Sequence, residues 1–238
     1  MKLIRAALAL SLLFAVPSIS ATINYGDYPG AGPGEVDFLG VAESSVTDPV
    51  PLFGVPSRAG NTLLFSPSGF AAAAADGSAD VTASTLEMIV ESPEGFYLSD
   101  ILIGELGDAM LSGSGTDATS ANVAGLLVVT DLDTGEVYQA ELAVSPEPPY
   151  VLPEDLGYFT WSADAALVGL FQPDEDVLVT RIGLRFDNIL SATSEEGTTS
   201  FIEKKQANGT FITIIPEPAT MATLMAGGLL VMLRRRRG

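Results

Sequence analysis

The sequence predicts an all-β protein: an antiparallel β-sandwich of jelly-roll type, flanked by an N-terminal signal helix and a short C-terminal transmembrane helix. Three observations predict this fold class. Apolar and polar side chains alternate with a period of two over several segments, the pattern of half-buried strands. Turn-forming residues separate these segments at short intervals. An apolar segment lies near each end of the chain, beside basic residues.

Composition excludes several classes of function. The 238 residues are 47% hydrophobic, enough for the core of one domain. The chain has no cysteine and no histidine, which excludes disulfides, thiol catalysis, cysteine or histidine zinc sites and the Ser-His-Asp triad. The net charge of −19 argues against a nucleic-acid partner. We therefore expect no cofactor and no catalytic residue.

The first 21 residues have the three parts of a secretory signal peptide. Lys2 and Arg5 precede an apolar stretch over residues 6–16, and Pro17 ends it. Small residues follow, so cleavage after Ser20 and cleavage after Ala21 both fit. The alternative, a buried helix of the mature domain, would have to lie beside terminal charges and end at a proline. We expect a cleaved leader and a helix near residues 2–16.

Residues 22–215 are predicted to form the β-sandwich domain, and they contain no convincing amphipathic helix. They hold 29 of the 30 acidic residues and 5 of the 11 basic ones. Alternation predicts strands in which one face carries the following apolar sets: Leu86, Met88 and Val90; Tyr138, Ala140, Leu142 and Val144; Ile182, Leu184 and Phe186.

Turn chemistry predicts two hairpins. Residues 126–130 and 136–143 flank a loop over 131–135 that contains Gly135. Residues 200–205 and 210–214 flank Asn208-Gly209, a pair that favours a type I′ turn. The alanine run over 71–75 favours a strand or loop over a helix.

The C-terminal segment, residues 216–238, divides into three parts. Pro216, Glu217 and Pro218 come first, and the two prolines predict that folded structure stops there. An apolar run over 219–233 follows; as a helix it would be about 22 Å long, shorter than the roughly 30 Å of a bilayer core. The basic residues Arg234, Arg235, Arg236 and Arg237 predict a cytoplasmic end and an external acidic domain. We expect a helix near residues 219–236.

The order of these parts resembles the PEP-CTERM sorting signal. That family's tail has a Pro-Glu-Pro motif, a short hydrophobic helix and a terminal basic cluster, as in residues 216–238. The resemblance implies processing by exosortase, an integral-membrane cysteine protease-transpeptidase of Gram-negative bacteria. Pro216, Glu217 and Pro218 would then be recognised as substrate. An ordinary tail anchor that happens to begin Pro-Glu-Pro is the alternative.

Acidic loops suggest calcium sites. Asp131, Asp133 and Glu136 match part of a calcium loop, but a hairpin turn also requires Asp and Gly there and explains them better. Residues 174–176 and the pair Glu195 and Glu196 are further acidic loops without diagnostic spacing.

Aromatic residues suggest a sugar platform. Tyr158, Phe159 and Trp161 could stack on sugar rings, although a core position is the commoner one for Trp161. Asn208 begins a glycosylation sequon that the proposed turn also explains.

These observations predict an exported, non-catalytic structural or adhesive protein, sorted through its tail and associated with exopolysaccharide. Its expected partners are the secretion translocon, exosortase, the membrane before processing, and extracellular polysaccharide. Its expected location is an inner-membrane precursor, then the outer surface or matrix of a Gram-negative bacterium. Two alternatives are a carbohydrate-binding module, with Trp161 or a tyrosine pair exposed, and a glycoside hydrolase that uses paired carboxylates.

Overall fold

The computed structural model describes residues 21–169, 178–207 and 209–219, and these form fifteen strands. The first eight are β1 (Ala21–Tyr28), β2 (Asp37–Ser45), β3 (Ser57–Ala59), β4 (Thr62–Phe65), β5 (Ala71–Ala75), β6 (Ala79–Glu91), β7 (Phe96–Ser112) and β8 (Ser120–Asp131). The others are β9 (Val137–Glu141), β10 (Ala143–Ser145), β11 (Tyr150–Val151), β12 (Gly157–Leu167), β13 (Arg181–Thr193), β14 (Thr199–Lys204) and β15 (Thr210–Pro218).

The strands form two antiparallel sheets, which confirms the predicted β-sandwich. Sheet A has the order β1-β2-β6-β13-β8-β11, with β9 also paired to β8. Sheet B has the order β10-β12-β7-β15-β4-β3, and β14 lies between β7 and β5. The pairs β6–β13, β7–β12 and β8–β11 are nested in sequence and alternate between the two sheets.

The core lies between the sheets because the strands alternate as the sequence predicts. Along β6, Leu86, Met88 and Val90 are buried. Along β13, which pairs with β6 over thirteen positions, Ile182, Leu184 and Phe186 are buried. The alanine run is strand β5, paired with β14. Burial of these apolar side chains is the main source of stability.

The hairpin predicted around residues 131–135 is confirmed, since β8 pairs with β9 on either side of that loop. The hairpin predicted at Asn208-Gly209 is wrong. β14 and β15 both pair with β7, on the same flank and in the same direction. Pairing with β7 ends at Lys204 in β14 and begins again at Thr210 in β15. Between these two strands, the backbone of Leu106 forms hydrogen bonds with the backbone of Lys205 and of Gly209. A turn pair placed between two strands therefore does not by itself make those strands partners.

The prediction that folded structure stops at Pro216 is also wrong. β15 continues to Pro218, opposite Phe96, Tyr97 and Leu98 of β7. A proline lacks a backbone donor and is tolerated at a sheet edge. The pairing of β15 with β4 ends at Thr213, so the last residues of β15 form such an edge.

Several predicted features lie outside the described residues. They include both expected terminal helices, Ser20, the arginine cluster 234–237, the acidic loop 174–176 and Asn208. Within the part of the chain that the structure describes, no helix has the length and apolarity to span a membrane.

One buried carboxylate anchors a loop to the core. Glu43 of β2 accepts hydrogen bonds from the backbone N–H groups of Leu52 and Phe53, at 2.7 and 3.2 Å. The hydroxyl groups of Ser84 and Tyr25 also donate to it, at 2.9 and 2.5 Å. A buried carboxylate is tolerated when donors surround it. Glu43 therefore fixes the segment after β2 against sheet A.

Candidate functional site

The outer face of sheet B carries a row of exposed apolar side chains, which we call the aromatic row. Phe201 of β14, Met110 of β7 and Tyr158 of β12 lie opposite one another on adjacent strands. Tyr158 is 67% exposed and Met110 39% exposed, while Phe201 is half-buried. This face of the sheet thus presents Tyr158 and Met110 to solvent beside the half-buried ring of Phe201.

A second row, which we call the polar row, runs beside the first. Glu203, Asp108 and Thr160 face outward two residues along the same three strands. The ammonium group of Lys205 lies 3.4 Å from a carboxylate oxygen of Asp108. The Asp108 carboxylate nearby, as a hydrogen-bond acceptor, raises the pKa of the Tyr158 hydroxyl. Aromatic rings beside hydrogen-bonding groups can hold a sugar by stacking and by hydroxyl contacts.

Strand alternation decides which aromatic residues reach this face. Trp161 points into the core, where it is 2% exposed, and its indole N–H donates to the backbone oxygen of Asp108 at 3.3 Å. Gly107 makes room for the indole, because a Cβ there would lie 2.0 Å from the ring. Phe159 points the same way and packs edge-on against Tyr150. The platform based on Trp161 is therefore not formed, and Tyr158 stands on the opposite face of β12.

The outer face of sheet A holds an open groove of about 890 Å³. Its floor includes Thr85 and Asp187, which are joined by a hydrogen bond of 2.6 Å. Arg185 also bonds Asp187, at 3.0 Å. The described residues that line the groove include Glu141 and Glu147 but no aromatic side chain. The groove is acidic and lacks a stacking surface.

Acidic residues considered for calcium accept hydrogen bonds from backbone and hydroxyl groups of their own or a neighbouring loop. The Asp131 carboxylate accepts the backbone N–H of Asp133 at 2.9 Å and the hydroxyl of Thr134 at 2.7 Å, as in a turn. Glu195 accepts the backbone N–H of Thr116 at 2.6 Å, which lowers the pKa of its carboxyl. Glu136 accepts the hydroxyl of Tyr138 at 3.0 Å. In the described ranges, no cluster of acidic side chains is arranged to hold a metal ion.

The three residues of the predicted sorting motif lie at the end of sheet B. Pro216, Glu217 and Pro218 pair with β7, and the hydroxyl of Tyr97 donates to Glu217 at 2.7 Å. Burial and this carboxylate raise the pKa of Tyr97 to about 12. Ala21, at the predicted signal cleavage site, is the first residue of β1 and pairs with Ser45.

A buried polar cluster was not identified from the sequence. Lys204, Glu105 and Asn188 meet between the sheets, and each is at most 3% exposed. The alternation of the strands could have indicated it. Lys204 lies two residues after Ile202, and Asn188 lies two residues after Phe186, so each shares a strand face with a buried apolar residue.

The comparisons with known proteins give only distant similarity. No family model matches the chain, and no curated protein matches it. Among solved structures, the chain is similar to TmCBM61 in complex with beta-1,4-galactotriose, with 14% identity over 65% of this chain and 71% of that one and a TM-score of 0.24. It is also similar to a carbohydrate-binding module of the β-sandwich superfamily, with 10% identity over 77% and 96% of the two chains and a TM-score of 0.21. These TM-scores are low, so the fold described here rests on the strand pairing itself.

Proposed function

We propose that this protein is an exported, non-catalytic adhesive module that contacts a neutral polysaccharide through the outer face of sheet B. The observation that carries the proposal is the aromatic row, in which Tyr158 stands exposed on a regular sheet. Met110 and Phe201 extend that surface across two neighbouring strands. The polar row then offers oxygen and nitrogen atoms at the edge of the stacking surface.

The charge of the domain narrows the class of polysaccharide. Residues 22–215 carry 29 acidic and 5 basic side chains. An anionic polymer would be repelled by this field, while a neutral chain would not. The polar row itself contains Asp108 and Glu203, which accept hydrogen bonds from sugar hydroxyl groups. We therefore expect neutral glycans to bind and acidic glycans to bind weakly.

We further propose that residues 216–238 direct the protein to the cell surface through a PEP-CTERM signal. The order of the motif, the apolar run and the arginine cluster at the end of the sequence supports this proposal. The test is the mass of the protein recovered from the native surface or culture fluid. A product that lacks about 20 N-terminal residues and the arginine cluster is expected. A surface product that keeps Arg234–Arg237 would leave a plain membrane anchor instead.

Polysaccharide binding is tested separately, by affinity electrophoresis of the full chain in gels that contain soluble glucan, galactan, mannan or xylan, with alginate as the acidic comparison. We expect retardation in at least one neutral gel and none in alginate. Tyr158→Ala should weaken binding about tenfold, while Tyr158→Phe, which keeps the ring, should retain most of it. The matched control is Val137→Ala, an exposed residue on sheet A.

Two results would contradict the proposal. Equal polysaccharide binding by the wild type and Tyr158→Ala would show that the aromatic row does not contact the polysaccharide. Release of reducing sugar from a retained polysaccharide would indicate a hydrolase, and the acidic groove of sheet A would become the place to search.

A further inference from the structure

Three residues from three strands meet in the core on a single carboxyl group. One oxygen of Glu105, on β7, accepts a hydrogen bond from the Lys204 ammonium of β14. The other oxygen accepts the side-chain N–H of Asn188, on β13, at 2.7 Å. Thr210 also donates to Glu105, at 3.3 Å. An amine and an amide are therefore held side by side on the two oxygens of one buried carboxylate.

Opposite effects act on the charge of Lys204: burial disfavours its ammonium form, while the rings and the carboxylates around it favour that form. Its amine lies 4.5 Å from the ring centre of Phe53, 4.4 Å from that of Phe70 and 5.8 Å from that of Phe186. Burial lowers the pKa of Lys204 to about 8, and the nearby carboxylates of Glu105 and, through its charge, Glu43 only partly oppose this shift. A buried lysine with a lowered pKa is an activated nucleophile.

The side-chain amide of Asn188 shares the Glu105 carboxylate with the Lys204 amine. Among the described residues, its side-chain oxygen is buried and has no hydrogen-bond partner. A buried polar atom without a partner is costly, so its place in a native core calls for an explanation. Gly125 lies opposite Asn188, and a Cβ there would come within 2.9 Å of the amide nitrogen. Because Gly125 has no side chain, the amide of Asn188 has room to lie beside Glu105.

We propose that Lys204 and Asn188 become joined by an intramolecular isopeptide bond, with Glu105 as the group that transfers protons. The bond would link β14 of sheet B to β13 of sheet A through the core. A chain without cysteine would thus gain a covalent link between its two sheets. This proposal is independent of the polysaccharide and sorting proposals above.

The reaction balances without a further reagent. The Lys204 ammonium gives a proton to Glu105, and the free amine attacks the side-chain carbonyl carbon of Asn188. A carbon–nitrogen bond forms, and the carbonyl electrons move to oxygen. As the carbonyl reforms, the bond to the Asn188 nitrogen breaks. Over the whole step Lys204 loses two protons, which Glu105 passes to the departing nitrogen. The products are an amide, an ammonium ion and the original carboxylate.

The test is peptide mapping of the purified, denatured full-length protein by mass spectrometry. Trypsin cuts after Arg185, Lys204 and Lys205 when these side chains are free. A linked protein should instead yield one peptide over residues 186–205, lighter than its linear sequence by about 17 Da, the mass of one ammonia. A second digestion, with a protease that cuts after Glu, should cut the backbone at Glu195, Glu196 and Glu203 while the pieces that carry Asn188 and Lys204 stay joined.

Variants assign the role of each group. Glu105→Gln keeps the shape but removes the proton acceptor, so we expect at least a tenfold smaller linked fraction. Lys205→Arg, beside the cluster but partly exposed, should keep the full linked fraction. Succinimide formation at Asn208-Gly209 would also remove one ammonia, but that pair lies in the next tryptic peptide.

One result overturns the proposal even if the variants fail to fold. A wild-type digest that contains an unmodified peptide ending at Lys204, and no linked peptide, would show that the cluster is only an ion pair.

Discussion

Glu43 and Glu105 are two carboxylates that are both almost wholly buried in one core, yet only Glu105 accepts a hydrogen bond from a cationic group. Glu43 is surrounded by neutral donors, two from the backbone and two from hydroxyl groups. Glu105 accepts from an ammonium and an amide, and also from the hydroxyl group of Thr210. Hydrogen bonds from backbone and hydroxyl groups fix a loop. An amine and an amide on one carboxylate bring reactive groups together. The partners of a buried acid, rather than its burial, therefore indicate whether its role is structural or chemical.

The largest effect on stability is expected from Lys204→Met, which removes the cation from Glu105. The substitution leaves a buried carboxylate without its cation and removes the proposed nucleophile. We expect the free energy of unfolding to fall by about 3–5 kcal/mol, measured by urea denaturation. Lys205→Met is the matched control, because its side chain is partly exposed. It should change stability by no more than about 0.5 kcal/mol. A full-stability Lys204→Met protein would show that the ion pair and the link contribute nothing.

Glu43→Gln should have the next largest effect and should separate the two carboxylates. The amide cannot accept from all four donors, so we expect a loss of about 2–3 kcal/mol in the free energy of unfolding. The tryptic map should keep the linked peptide over residues 186–205, since Glu43 contacts neither Lys204 nor Asn188 by hydrogen bond in the described cluster. The exposed Glu87→Gln serves as the control. Loss of the linked peptide in Glu43→Gln would show that the two carboxylates act together.

Gly125→Ala tests the Glu105 cluster by crowding it. A Cβ at position 125 would lie 2.3 Å from Leu142 and 2.9 Å from the amide nitrogen of Asn188. Displacing that amide should lower the linked fraction and cost about 1–3 kcal/mol. Gly183→Ala is the control, since its Cβ would meet Leu132 at an ordinary 3.5 Å. Peptide mapping and urea denaturation of both variants give the two readouts, and an unchanged linked fraction in Gly125→Ala would argue against the proposed attack geometry.

Tyr25→Phe should have the smallest effect on stability, and it tests a single hydrogen bond to Glu43. It removes one of the donors to Glu43, at a cost of about 1–2 kcal/mol. Burial and the hydrogen bond to Glu43 raise the pKa of Tyr25. Above pH of about 10 the unfolded chain loses this proton while the folded chain keeps it, so wild-type stability falls as the pH rises. The decline should be shallower in Tyr25→Phe than in Tyr158→Phe, as followed by urea denaturation between about pH 9 and 11.

Period-two alternation predicted the sheets well, because each strand has one face in the core. It placed Leu86 and Phe186 inside and explained why Trp161 and Tyr158 point in opposite directions. The same rule extended by two residues puts Asn188 and Lys204 inside. A charged or amide side chain at such a position is normally predicted to face solvent unless its buried partner is known. Glu105 lies 83 residues from Asn188 in sequence and 99 from Lys204, so only the fold brings them together. The error at Asn208-Gly209 has the same cause, since which strand pairs with β14 and β15 depends on distant β7.

The arrangement of β14 and β15 along one flank of β7 has a mechanical consequence. When the chain is pulled from its C-terminal end along the strand direction, the hydrogen bonds between β15 and β7 are loaded together, in shear. They do not open one after another, as in a hairpin that is pulled apart from its two ends. Load that passes β15 next reaches β14, whose last residue is Lys204. The domain is therefore built to bear tension at the end that leads to the C-terminal segment, and a link from Lys204 to Asn188 would stop extension at that point.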